Sequence, residues 1–586
     1  MQRRLAWASL GISLALAGCG DDDSPVEDAG NVVDAGPMDT GSPDEGTVEP
    51  DAGPDLGPEP DAGPPRDPDV CDELGLARAP FATDGLGPRF GDVAGDFTVE
   101  TLGGTFRLSD AWTGCESYVI FVHFPGQTDE LMASTFDLLF TEGPRNVQYL
   151  FLSMDEDPAA RLEFANARAQ DMEDGFAFRM TPVEEQERWR PRIHFATSHA
   201  LESGSIGEML EDYFTWARTP EATVDLGDRG RAGAPLPVAI GIDRTQRWDA
   251  ADNLSPSVGA APRLDMARFL GSFYDYRVEL ESRLAAETDA TVVELLDERT
   301  TGRVFTSAVT LPDPAEMATF DSLEVDIVVD CQERNPFACS EWDRIASVSL
   351  CIDGAACTDR REIARWITPY WRRGRQHYLI EATPMLGLLR EGGERHFFVE
   401  LGPEWERATE WVAHVSLRLR STGADDRPIG AERAFGGGAF DMTYNTREPF
   451  AFTPPPGTTR VEIVTLLSGH GQTAGDNCAE WCDHRHVFTV ADTALPEIAH
   501  EGSTIGSAYG CASRAREGVI PGQWGNWAQS RAYWCPGLPV APQRIDITEH
   551  VRLGAANQLD YEGRFEDGDP RGGDIALSAY VVYYGD

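Results

Sequence analysis

The sequence predicts a multidomain chain in which an α/β domain is followed by two all-β antiparallel sandwiches. Three observations carry this. The runs "YVIFVHF" (118–124) and "VQYLFLS" (147–153) are continuously apolar over the length of buried parallel strands and alternate with helix-patterned stretches. From about residue 291 the pattern changes to short alternating strands separated by turn signals, with no long helix. The 586 residues are too many for one core, and 41% hydrophobic content is enough for several.

The elements follow in chain order. Residues 1–19 open on "MQRR" and continue with the short apolar run "LAWASLGISLALAG", which reads as a signal-peptide core and is too short to span a membrane. The run ends in Leu16-Ala17-Gly18-Cys19, which resembles a bacterial lipobox and implies lipidation of Cys19. Residues 20–70 hold 16 Asp or Glu and one Arg in repeated "DAGP"-type units. With little apolar surface to bury and strong self-repulsion, this stretch reads as a disordered acidic tether. An export signal, a lipid anchor and a tether predict a bacterial cell-envelope protein on the outer membrane surface.

Residues 71–290 form the α/β domain. Helix patterns cover 158–172, with Pro158 at the start, and 263–287, while "LPVAIGIDR" (236–244) adds a buried strand. Two β domains are expected at 291–430 and 431–586, with Gly436-Gly437-Gly438 near the seam. The formal net charge of −49 argues against nucleic acid as a partner. The chain contains no lysine, which excludes lysine-based covalent catalysis.

Of the 11 cysteines, ten remain after Cys19, an even number that in an exported protein suggests five disulfides. Proximity suggests Cys331–Cys339, Cys351–Cys357, Cys478–Cys482 and Cys511–Cys535, leaving Cys71–Cys115. Two of these loops carry unusual chemistry. "CSEWDR" (339–344) and "CAEWCDHRH" (478–486) each set a carboxylate beside an indole and next to cysteine. A pinned loop with an aromatic and an acid suits carbohydrate chemistry, in which the indole stacks on a sugar and the carboxylate acts as acid, base or clamp. Two other readings stay open. Asp343 and Glu480 can be ordinary surface acids, and Cys478, Cys482, His484 and His486 have zinc- or copper-type spacing.

The opening "GDVAGDFTVETLGGTFRLSDAWTG" resembles the lead-in of thioredoxin- and peroxiredoxin-like domains. The strand at 118–124 then runs into "PGQTDE", with no cysteine, and Cys115 precedes it. The resemblance therefore implies a thioredoxin-like domain without redox function. The last ~290 residues resemble the peptide-N-glycosidase F family through "CSEWDR", "RWITPYW" (365–371), "NCAEWCDHRH" (477–486) and "GNWAQSRAYWCPG" (525–537), in family order.

That resemblance implies two jelly-roll sandwiches and an amidase that cleaves the Asn–GlcNAc bond of N-glycoproteins or glycopeptides, with no metal or other cofactor. It implies catalytic roles for Asp343, Glu480 and Glu400, with Glu404 a rival to the last. It implies substrate contacts by Arg344, Trp342, Arg531 and Trp481, and it supports the disulfides 331–339, 478–482 and 511–535. Where the family presents Trp-Gly-His on its glycan-facing wall, this chain has His470-Gly471-Gln472. The alternatives are a glycan-binding adhesion lipoprotein without catalysis and a metal-dependent oxidase using His484 and His486. Because the matched residues lie beyond 330, removal of the α/β domain is expected to leave the chemistry largely intact.

Overall fold

The computed structural model describes residues 69–218, 236–257, 260–300, 303–331, 342–370, 374–402, 411–471, 478–499, 505–523, 525–565 and 572–585. The signal, Cys19, nearly all of the acidic tether, Cys339, Glu404 and Gln472 lie outside them, and so does the 331–339 pairing.

Strands β1 (Thr98–Thr101), β2 (Gly104–Arg107), β3 (Ser117–His123), β4 (Val147–Ser153), β5 (Ile193–His199), β6 (Ala239–Ile242) and β7 (Trp248–Asp252) form one sheet in the order β2-β1-β5-β4-β3-β6-β7. The expected parallel centre is present as β3, β4 and β5, but β6 and β7 run antiparallel, as does β1 against β5. All of β4 and nearly all of β3 are buried, as continuous apolar runs require when helices cover both faces. The helix Pro158–Phe178 starts where the sequence places Pro at its first position, and the Asp157 carboxylate caps it by accepting from Ala159 N. The second long helix, Arg268–Ala286, is preceded by a 3₁₀ turn at Leu264–Ala267, so the periodic stretch 263–287 is helical in two pieces.

The first β unit holds β8 (Thr291–Thr300), β9 (Val304–Leu311), β10 (Ser322–Cys331), β11 (Ile345–Cys351), β12 (Arg360–Ile367), β13 (Gly374–Glu381), β14 (Gly393–Glu400) and β15 (Trp411–Arg420). They make two antiparallel sheets, β13-β10-β15-β8 and β12-β11-β14-β9. The second unit holds β16 (Arg427–Ala439), β17 (Phe450–Phe452), β18 (Arg460–His470), β19 (His484–Val490), β20 (Thr493–Ala494), β21 (Ile498–Ala499), β22 (Gln543–Asp546), β23 (Asn557–Phe565) and β24 (Asp574–Gly585). Its sheets are β16-β24-β18-β22 and β17-β23-β19-β20, with β21 on β19.

The expected seam needs correction. Residue 431 and Gly436-Gly437-Gly438 lie inside β16, and a Cβ on Gly437 would stand 1.8 Å from Ile575 O. The glycines allow β24 to approach. Among the described residues no helix is long and apolar enough to cross a membrane.

The described residues belong to one compact unit. One continuous buried core joins the α/β sheet, the first β unit and the 511–538 segment, and a second core fills the last unit. Cys71–Cys115, Cys351–Cys357, Cys478–Cys482 and Cys511–Cys535 are bonded.

Candidate active site

Asp343 lies on the turn entering β11, and Thr368 fixes that turn. The Thr368 hydroxyl accepts from Arg344 N (2.8 Å) and donates to Trp342 O (2.8 Å), while Thr368 N donates to Arg344 O (2.9 Å). The Asp343 side chain is only 7% exposed. Tyr370 donates its phenol to Asp343 Oδ2 at 2.5 Å. Gln523 holds Tyr370 by accepting from its backbone N–H (3.0 Å). Residue 525 must be glycine, because a Cβ there would stand 2.3 Å from the Tyr370 ring.

Glu480 comes from the second β unit. Its one-turn helix, Cys478–Trp481, is closed by the Cys478–Cys482 disulfide. Gly469 lies against this turn, and a Cβ there would be 1.8 Å from Ala479 O. Glu480 accepts from Gly471 N (2.9 Å) through Oε2 and from Arg531 Nε (3.3 Å) through Oε1. Both partners are donors, so the pocket is built around the carboxylate form. Burial, and then the negative charge of Asp343, nevertheless push its carboxyl up to about 7. Burial also raises Asp343, against the opposing pull of Arg531, the Tyr370 phenol and Arg344.

Arg531 joins the two units. Its Nε is 3.7 Å from Asp343 Oδ2 as well as 3.3 Å from Glu480 Oε1. The guanidinium lies over Trp481 (4.8 Å) and Trp534 (5.0 Å) and is fully buried. Sequence reasoning expected Arg531 and Trp481 to touch substrate. The geometry assigns Arg531 to the carboxylates, since a fully buried guanidinium held between two acids presents no face to a ligand, and the half-buried Trp481 ring packs against it. Trp342 packs edge-on to Tyr370, at 6.3 Å between ring centres.

Asp343, Arg344, Ile345, Glu400, His470, Glu480 and Trp534 line a cavity of about 270 Å³. Glu400 thus reaches the cavity from the end of β14. His470 stacks on Trp534 (4.9 Å) and is kept neutral by burial, which drops it to about 3. The two β units are fastened together beside this cavity. Arg365 donates to Ser468 Oγ (2.9 Å) and Ala576 O (2.7 Å), and Ser578 donates to Glu362 (2.6 Å).

His484 and His486 do share a face, as their spacing predicts, but on the buried side. Their facing ring nitrogens are 2.9 Å apart, His484 Nε2 lies 2.8 Å from Ala479 O, and His486 Nδ1 lies 2.6 Å from the Tyr561 hydroxyl. All four ring nitrogens are engaged by the protein, and the paired Cys478 and Cys482 offer no thiolate. Among the described residues no group of three or more His, Cys, Asp or Glu is arranged to hold a metal ion.

Sequence reasoning quoted the stretches containing Tyr370 and Trp534 without assigning either a role. A phenol in "ITPYW" is the signal that could have found Tyr370. Nothing in the sequence pointed to Thr368 or Gln523.

The α/β domain braces this site. Trp527 Nε1 donates to Ser255 O (2.9 Å), Ala528 N donates to Pro256 O (3.4 Å), and the Trp527 ring meets Phe269 edge-on (6.3 Å). A Cβ on Gly518 or Gly522 would collide with Tyr276 or Asp252. The same segment carries Gln523, Gly525 and Arg531. These contacts argue against the expectation that the α/β domain is dispensable. Trp527→Ala is expected to destabilise the chain by about 3–5 kcal/mol. Removal of 71–290 is expected to abolish cooperative unfolding and turnover together. Thermal unfolding and turnover measured on the same samples check both outcomes.

Residues 440–582 match the family model described as "Peptide-N-glycosidase F, C terminal". A curated relative, peptide-N(4)-(N-acetyl-beta-D-glucosaminyl)asparagine amidase F of Elizabethkingia miricola, is 27% identical over 296 residues, covering 46% of this chain and 75% of the relative. A crystal structure of peptide-N(4)-(N-acetyl-beta-D-glucosaminyl)asparagine amidase aligns with a TM-score of 0.40 at 20% identity, over 51% of this chain and 96% of that one. PNGF-II aligns with a TM-score of 0.38 at 10% identity, over 52% of this chain and 67% of its own.

Proposed function

We propose that the protein, whose C-terminal half is similar to peptide-N-glycosidase F, is an amidase that cleaves the bond between asparagine and the first N-acetylglucosamine of N-glycoproteins. One observation carries the reading: two buried carboxylates from different β units meet at a single cavity and share one buried arginine.

Asp343 takes a proton from water as the water attacks the side-chain carbonyl carbon. Arg344, on the cavity wall, faces the oxyanion that forms. The C–N bond then breaks, and the proton held by Asp343 passes to the departing glycosylamine nitrogen. The products are aspartate and the intact glycan as its glycosylamine. Glu480, held as an acceptor, orients the sugar by accepting its N–H or hydroxyl protons, and Glu400 provides a second acceptor. Incubation with a denatured N-glycoprotein tests the reading. Intact glycan release with conversion of Asn to Asp supports it, and binding without release supports an adhesion role. Loss of turnover on chelation would favour the oxidase alternative, which needs His484 and His486 to give up their present partners.

The rate is expected to rise with pH through about 7 as Glu480 ionises, and Glu480→Gln should lower kcat and flatten that limb. A pH profile of kcat/KM on a glycopeptide measures this. The sign for stability is opposite. Its folded value of about 7 lies above the ordinary 4.5, so the contribution is fullest below 4.5 and is lost as pH rises to about 7.

The finer readings of the fold and location belong to the same proposal. The order β4-β3-β6-β7, followed by the helix Arg268–Ala286, supports a thioredoxin-like α/β domain without redox function. The paired antiparallel sheets support two jelly rolls. The Leu16-Ala17-Gly18-Cys19 motif and the acidic tether support lipid anchoring at a bacterial outer membrane. Retention of a Cys19→Ala protein in the membrane fraction would overturn the anchor.

A further inference from the structure

The segment 530–535 is a wall with two working sides. Trp534 lines the catalytic cavity, and Arg531 is buried behind its carboxylates. Ser530, Tyr533 and Cys535 line a second, larger cavity of about 850 Å³. Tyr533 holds a left-handed backbone (φ 68°), a strained conformation for a tyrosine, and its phenol is fixed by donation to His484 O (2.6 Å). Tyr509, Ser513 and Arg514, from the turn braced by the α/β domain, line the same groove, as does Gln543.

The chemistry of this groove selects a ligand class. Its arginine is already paired, Arg514 Nε to Glu517 Oε2 at 2.8 Å, and both residues line the groove, so the charge is balanced and an anion is not favoured. What remains is hydroxyl, amide and aromatic surface. Aromatic rings beside neutral hydroxyl and amide groups suit a neutral polyhydroxylated molecule. Size points the same way. The catalytic cavity of about 270 Å³ is smaller than the range of about 300–1,000 Å³ typical of small-molecule sites, whereas the groove lies well within it.

We propose that the groove is a second carbohydrate subsite that binds the outer, neutral sugars of an N-glycan. The assignment rests on the amidase reading for the identity of the glycan, but not for the binding itself. The test uses the full chain carrying Asp343→Asn, titrated calorimetrically with a free neutral N-glycan that has no amide to cleave. Gln543→Ala and, separately, Ser513→Phe, which fills the groove, are each expected to weaken binding about tenfold. With Asp343 intact, the same substitutions should raise KM about tenfold on a glycopeptide bearing the whole glycan, with kcat unchanged. On a glycopeptide trimmed to its first sugar they should change nothing.

Unfolding temperatures within a degree or two of the parent show that the folds are intact. Parental binding and parental KM in both correctly folded variants would overturn the subsite. Weakened binding of the aglycosyl peptide, with glycan binding unchanged, would also overturn it and reassign the groove to polypeptide. Groove-dependent glycan binding without turnover by the unsubstituted chain would retain the subsite and remove the amidase reading.

Discussion

Asp343→Asn is expected to give a folded protein whose amide hydrolysis is slower by about 10²- to 10⁴-fold, at the upper end of that range. The substitution keeps size and shape at a side chain that is only 7% exposed, so packing barely changes. It removes the one property the reaction needs there, a lone pair basic enough to take a proton from water. The amide would also turn either its oxygen or its NH₂ toward Tyr370, whose phenol donates to Oδ2 at 2.5 Å in the parent. Single-turnover kinetics on a glycopeptide, with circular dichroism to confirm folding, measure the effect. The control matters because loss of a nearby disulfide costs about 2–5 kcal/mol and would mimic a catalytic defect. Near-parental turnover by folded Asp343→Asn, together with inactivity of a His484→Ala, His486→Ala protein, would transfer the chemistry to the histidines.

Arg531→Met should do the most damage to folding and function together. It removes the cation shared by Asp343 and Glu480 and leaves two buried carboxylates without it. Breaking a buried pair in this way costs about 3–5 kcal/mol. Both carboxyls lose a partner that lowers their affinity for protons, so both move further up. The variant should therefore be most stable at acid pH, lose stability as the pH is raised, and need a higher pH than the parent to reach any given fraction of its activity. Adding Glu480→Gln removes one of the two charges and should recover part of the stability. Unfolding curves across pH for the parent, both single variants and the double variant give the coupling directly. Parental stability in Arg531→Met would show that the arginine does not hold the carboxylates together.

Some of this site is legible in the amino-acid order because its cause is local. Asp343 and Glu480 stand out because an acid, an indole and cysteine occur within a few positions. The disulfide pairs Cys351–Cys357 and Cys478–Cys482 follow from proximity. The buried strands β3 and β4 follow from apolar runs too long to be half-exposed. Local reasoning fails where one sequence pattern fits two environments. His484 and His486 have the spacing of ligands and also that of a buried hydrogen-bonded pair, and only the neighbouring Ala479 O and Tyr561 hydroxyl distinguish these. Gly436-Gly437-Gly438 suggests a domain seam by composition, and only the close approach of β24 shows its role as a strand contact.

The sequence by itself therefore determined the order of the α/β and β parts, the cysteine framework outside the 331–339 region, and which acids to examine. Only the tertiary structure decided what those acids experience. Arg531 meets Glu480 from 51 positions away and Tyr370 from 161, and Trp527 reaches Ser255 across 272. Charge, burial and hydrogen-bond partners set a carboxyl's proton affinity, and at this site they come from segments that only folding brings together.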